Sequence, residues 1–111
     1  MILWHNPRCS KSRAALALLQ QAGHDPAVRL YLKQPPLKDE LEILRDKLGL
    51  PVIAMLRTGE AMFRDLGLAQ ADDDALLDAI AAHPILLERP VLERAERAVI
   101  GRPPEAVLDL V

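Results

Sequence analysis

The chain opens on a short apolar run, Met1-Ile2-Leu3-Trp4, that stops at the polar turn His5-Asn6-Pro7. An apolar run bounded by turn residues reads as a buried strand, and proline cannot carry a ladder further. From Ser10 the period changes. Ala14, Ala15, Leu18, Leu19 and Ala22 recur at helical spacing, and Gly23 stands where a C-terminal cap belongs. Val28 to Leu32 reads as a second strand. Two strands separated by one helix fit a right-handed βαβ unit with parallel strands.

Pro35-Pro36 leads into a predicted helix from Lys38 to Leu48, striped by Leu41, Leu44 and Leu48 and stopped by Gly49. Pro51 begins a short helix through Leu56, and residues 60 to 66 form a further turn of helix ending at Gly67. Asp72-Asp73-Asp74 places acids at a helix start, where the positive end of the dipole favours them. That helix carries Leu76, Leu77, Ile80 and Ala81 and stops at His83-Pro84. Val91-Leu92 and Ala98-Val99-Ile100 flank the polar stretch Glu93 to Arg97, which reads as a β-hairpin with weak turn residues. Glu105 to Leu110 closes the chain as a helix. The predicted order is β-α-β, a helical block, then β-β-α, an α/β chain with a four-stranded mixed sheet. Residues 1–111 form one expected domain, with the helical insertion at about 36–86. Without that block, the order is the connectivity of a thioredoxin fold.

Half of the 111 residues are apolar, which excludes long-range disorder. Only Trp4, Tyr31 and Phe63 are aromatic, so the core is expected to be aliphatic. The net charge of -2 lacks the cation excess of a sequence-independent nucleic-acid binder. No apolar run approaches the ~20 residues of a membrane span. The N-terminus has neither the basic start nor the apolar stretch of a signal peptide. A single cysteine forbids an internal disulfide and suits a reducing cytoplasm, so the expected location is cytoplasmic. One Cys and three His cannot build a structural zinc site, and no metal is expected.

The chemistry concentrates in His5-Asn6-Pro7-Arg8-Cys9-Ser10-Lys11-Ser12-Arg13. Cys9 falls between a strand end and a helix start, where unpaired N–H groups and the helix dipole favour an anion. Arg8, Lys11 and Arg13 add positive charge, with His5 upstream. Free cysteines usually lie buried and inert. Here the polar, basic flanks and the turn position argue for an accessible thiol with a lowered pKa. A Cys-x5-Arg phosphatase loop would need arginine at position 15, which is Ala15. A Cys-x-x-Cys dithiol would need a second cysteine at position 12, which is Ser12. A lone cysteine cannot resolve its own mixed disulfide, so turnover through Cys9 requires an outside thiol.

The chain resembles the glutaredoxin-coupled arsenate reductase family essentially end to end. The resemblance is carried by His5-Asn6-Pro7-x-Cys9 with Ser12-Arg13, Tyr31-Leu32 followed by Pro35-Pro36, Leu56-Arg57, and Leu66-Gly67-Leu68. It continues through His83-Pro84-Ile85-Leu86 with Arg89-Pro90, and Arg102-Pro103 with Val107-Leu108-Asp109. The stretch Arg8-Cys9-Ser10-Lys11-Ser12-Arg13 resembles one branch of that family. The resemblance implies a thioredoxin-like fold with an inserted helical block. It implies Cys9 as the nucleophile toward arsenate, Arg57, Arg89 and Arg102 as ligands of the oxyanion, and His5 as an imidazolium favouring the thiolate. Ser12 and Arg13 are supporting residues by the same motif. Pro90 resembles the cis-proline that faces the active site in thioredoxin-like folds. The implied cycle uses glutathione as co-substrate and glutaredoxin as partner, with no bound cofactor. Reduction of another oxyanion or of a mixed disulfide would use the same parts. Some relatives of the fold are regulators that bind RNA polymerase; their redox-sensing forms carry a Cys-x-x-Cys switch, which Ser12 rules out. The remaining arginines, Arg29, Arg45 and Arg64 among them, read as solvated, and His83 as packing at a helix end.

Overall fold

A computed structural model describes residues 1–111 and resolves into two compact units. The first comprises Met1–Gln34 and Arg89–Val111, the second Pro35–Glu88.

The first unit is a mixed four-stranded sheet in the order β2-β1-β3-β4. Its strands are β1 (Ile2–Trp4), β2 (Ala27–Arg29), β3 (Val91–Glu93) and β4 (Ala98–Ile100). β1 runs parallel to β2 and antiparallel to β3, and β3 and β4 are antiparallel. Helix α1 (Ser10–Gln21) joins the parallel pair, and Gly23, at φ +88°, supplies the left-handed residue that ends it. Leu3 and Leu92 stand opposite each other across β1 and β3. They meet Ala15 and Leu19 of α1 and Val107 in a fully buried aliphatic cluster. Five such side chains out of water contribute on the order of 10 kcal/mol, at about 1.5–3 kcal/mol for each large one.

Alternation along β1 sends Trp4 to the other face. Arg29 is its register partner on β2, and the guanidinium lies 4.6 Å from the indole centroid. The indole Nε1 donates to Glu93 Oε1 at 3.0 Å. Arg29 also donates to the carbonyl of Gln34 through Nε and Nη2. The solvated reading of Arg29 is therefore corrected: cross-strand register, invisible in the local pattern, places it on the one tryptophan.

Two further expectations are adjusted. The second strand ends at Arg29 instead of Leu32, because the carbonyl of Leu30 accepts from the N–H groups of Lys33 and Gln34 and closes a turn. The C-terminal helix is a 3-10 helix, Pro104–Leu110, with Pro104 at its first position, where a missing N–H costs no helical hydrogen bond. The hairpin turn that lacked a favourable residue pair is closed by Arg94 N–H donating to Arg97 O at 2.8 Å.

The second unit holds α2 (Lys38–Leu48), α3 (Ala61–Asp65) and α4 (Asp73–Ala82), with short 3-10 turns between and after them. α2 packs against α4, and Leu41, Leu44, Leu76, Leu77 and Ile80 are buried. Gly49 and Gly67, both at φ +65°, terminate α2 and the α3 segment where the sequence places those stops. The acid run does two things. Asp72 caps α4 by accepting from Ala75 N–H at 2.9 Å. Asp74 and Asp78 grip Lys38 at 2.6 and 3.0 Å, and the hydrogen bond to Asp74 is the main reason its pKa is pushed up to about 12.

Candidate active site

The loop from His5 to Cys9 follows directly on β1, and its backbone is organised by one residue, Asn6. The Asn6 carbonyl accepts from Cys9 N–H at 3.0 Å, and its side-chain Oδ1 accepts from Arg8 N–H at 3.0 Å. Its own N–H donates to Ser12 Oγ at 3.1 Å. Arg13 Nη1 donates to Pro7 O at 2.8 Å, so α1 holds the loop that precedes it. Cys9 is the N-cap: its extended backbone (φ -93°, ψ 123°) starts the helix, and its carbonyl accepts from Arg13 N–H. Sequence reasoning placed Asn6 in a turn without seeing these three roles, which depend on the closed loop.

Cys9 is only 9% exposed, so its environment is more enclosed than its polar neighbours imply. Burial alone raises a thiol pKa. At Cys9 that effect is outweighed by the backbone N–H groups of Ser12 and Lys11 at the helix start and by the charges of Arg89 and Arg102. The net shift is downward. An alkylation rate measured against pH with iodoacetamide is therefore expected to titrate below the ordinary thiol value. A midpoint at or above that value would mean that burial dominates. The sign for stability follows. Folding depresses this pKa, so the stabilisation is present above the unfolded thiol pKa and is lost as pH falls through the folded one.

His5 departs from the expected role. It is buried, and Nδ1 lies 2.6 Å from Ser12 Oγ, itself fully buried. Ser12 Oγ also accepts from Asn6 N–H, so the hydroxyl links the ring to the loop backbone. Burial first, and the Arg13 charge second, lower the His5 pKa. The expectation of an imidazolium beside the thiolate is corrected on those grounds: His5 and Ser12 shape the loop from beneath. In a proton NMR titration, the His5 ring is expected to protonate below 6.5. Protonation above 6.5 would restore the charged role.

Arg89 and Arg102, the two arginines whose charges act on Cys9, meet within the first unit. Arg102 Nε donates to the Arg89 carbonyl at 3.0 Å, which ties the start of β3 to the end of β4. The Arg89–Pro90 bond is cis, as the resemblance implies, and so is Arg102–Pro103, which nothing in the sequence announced. Gly101 separates β4 from Arg102, and a Cβ there would stand 2.7 Å from Pro90 Cγ. The absence of a side chain at 101 thus lets the two arginine-proline pairs close on each other. Arg57 belongs to the helical unit. Its backbone N–H donates to Leu86 O at 2.8 Å and its Nη1 pairs with Glu60 Oε2 at 3.2 Å. The structure thus gathers Cys9, His5, Ser12, Arg13, Arg89, Pro90 and Arg102 in one unit. No group of three His, Cys, Asp or Glu side chains is placed to hold a metal ion.

Residues 4–110 match the ArsC family. The chain belongs to that family. An arsenate reductase of Neisseria meningitidis is 47% identical over 108 residues, covering 95% of this chain and 92% of that protein. One from Haemophilus influenzae is 41% identical, covering 100% of this chain and 98% of that protein. The solved arsenate reductase of Vibrio cholerae superposes with a TM-score of 0.96 at 46% identity, covering 99% of this chain and 96% of that one. This ArsC-family chain has the mixed four-stranded α/β architecture expected of a thioredoxin-like fold. No helix in it is long and apolar enough to cross a membrane.

Proposed function

We propose that this chain reduces arsenate to arsenite through a covalent adduct on Cys9, with glutathione as co-substrate and glutaredoxin as partner. The observation that carries the reading is a thiol at the N-cap position of α1 whose pKa is lowered by two backbone N–H groups and by Arg89 and Arg102. A thiolate in that setting is a nucleophile, and guanidinium groups beside it offset the repulsion of an incoming oxyanion.

The Cys9 thiolate attacks arsenic(V), an arsenate oxygen leaves as water, and an S–As bond forms. A glutathione thiolate then attacks Cys9 Sγ. The S–As electron pair passes to arsenic, which leaves as arsenite, and Cys9 is left in a mixed disulfide with glutathione. A glutaredoxin thiolate attacks the glutathione sulfur and Cys9 departs as thiolate. With one cysteine in the chain, the second and third steps must come from outside thiols. Arg89 and Arg102 position the oxyanion and stabilise its charge. Arg57 is proposed as a third ligand on the family motif alone, with residues 1–111 acting as one catalytic domain. No prosthetic group is needed, and a reducing cytoplasm is where these co-substrates are available.

The test is arsenate-dependent oxidation of NADPH in the presence of glutathione, glutathione reductase and glutaredoxin. Oxidation is expected to require arsenate, the chain and glutaredoxin together. Absence of arsenate-dependent oxidation would remove the reading.

A further inference from the structure

A pocket of about 260 Å³ opens beside the Cys9 loop, just below the usual size range of ligand sites. His5, Asn6, Pro7 and Arg8 form one wall, and Leu30, Leu32 and Lys33 form the other. Arg8 is the residue before the nucleophile, so a molecule held here lies against the loop that presents Cys9. Leu32 is 42% exposed, a large apolar side chain left in the open at the rim. Arg8 and Lys33 are exposed as well, and neither side chain has a carboxylate partner. The pocket thus has an apolar lining and two cations without counter-charge.

We propose that this pocket holds the carboxylate-bearing small thiol that attacks Cys9, with Arg8 and Lys33 receiving its carboxylates. The proposal rests on the reductase reading only in requiring an outside thiol, a need set by the single cysteine. Glutathione fits by chemistry. It carries a carboxylate at each end of a short peptide, with a cysteinyl thiol between them. A neutral thiol of similar reactivity has nothing for the two cations to bind.

The test uses the whole chain and no arsenate. The reduced protein is mixed with oxidised glutathione or with the neutral hydroxyethyl disulfide. Cys9 thiolate attacks one disulfide sulfur, the other sulfur leaves as thiolate, and intact-mass spectrometry follows the mixed disulfide. In the double variant Arg8→Ala, Lys33→Ala, the rate with oxidised glutathione is expected to fall about tenfold, as two exposed ion pairs allow. The rate with hydroxyethyl disulfide is expected to stay within about twofold, because neither Arg8 nor Lys33 is among the groups that set the Cys9 pKa, despite the charge Arg8 adds to the loop sequence. Equal losses with both reagents would mean that the cations act on Cys9 itself, and no loss would mean that they touch no ligand; either result overturns the proposal. Failure of arsenate turnover in the coupled assay, with the disulfide preference retained, would remove the reductase reading and leave the pocket standing.

Discussion

The variant Cys9→Ser is expected to lose arsenate turnover by at least about a thousandfold while keeping its fold. Removal of a covalent nucleophile has effects of this size or larger. The serine hydroxyl is not ionised near neutral pH, and no base adjoins it: the His5 ring is engaged with Ser12, below the loop. The fold should tolerate the change. Serine is close to cysteine in size and is a good N-cap, so unfolding free energies from urea titration at neutral pH are expected to agree to within about 1 kcal/mol. As pH rises through the thiol range, the wild type should gain on the variant, since only the wild type has a thiolate to stabilise. Measurable arsenate reduction by the serine variant would eliminate Cys9 as the attacking group.

Arg89→Ala carries the second large effect, a fall in kcat/KM for arsenate of about 10²–10³. Two losses combine in it. Arg89 is the larger of the two arginine charges acting on the thiolate, so its removal raises the Cys9 pKa and thins the reactive fraction. On the proposed function it also removes a planar donor for the oxyanion, which lysine cannot replace in kind. The two are separable by experiment. The alkylation profile reads the thiolate alone, and Arg89→Lys should restore most of that profile while recovering little of the arsenate KM. Arg102→Ala is expected to show a smaller shift in the alkylation profile, because its charge acts less strongly on Cys9. Equal alkylation midpoints and equal KM in wild type and Arg89→Ala would place the arginine outside the site.

Much of this architecture is legible in the sequence because its signals are local. Gly23, Gly49 and Gly67 end helices, Asp72 begins one, and the switch from an apolar run to helical period at Ser10 marks the strand-to-helix turn that presents Cys9. What escapes local reading depends on residues far apart in the chain. Arg29 reaches Trp4 only through strand register, and Arg102 reaches the Arg89 carbonyl only when β3 and β4 pair. His5 illustrates the same limit in its charge. Four residues before Cys9, it is an imidazolium by the family resemblance, yet closure of the loop buries it on Ser12 and favours the neutral ring. Cys9 itself is enclosed by that closure, while its lowered pKa comes from the helix start and from arginines far downstream, Arg89 and Arg102.

The indole that lies under Arg29 and donates to Glu93 has a practical consequence for spectroscopy. Trp4 and Tyr31 are the only chromophores absorbing near 280 nm, and both belong to the sheet unit; the helical unit has Phe63 alone. Excited at the red edge, where only the indole absorbs, the chain gives a single-site signal from Trp4, 2% exposed at the end of the strand that leads to Cys9. Far-ultraviolet dichroism draws mainly on α1, α2 and α4, two of which lie in the other unit. Recorded on one sample, the two optical signals follow different parts of the polypeptide without any label being attached.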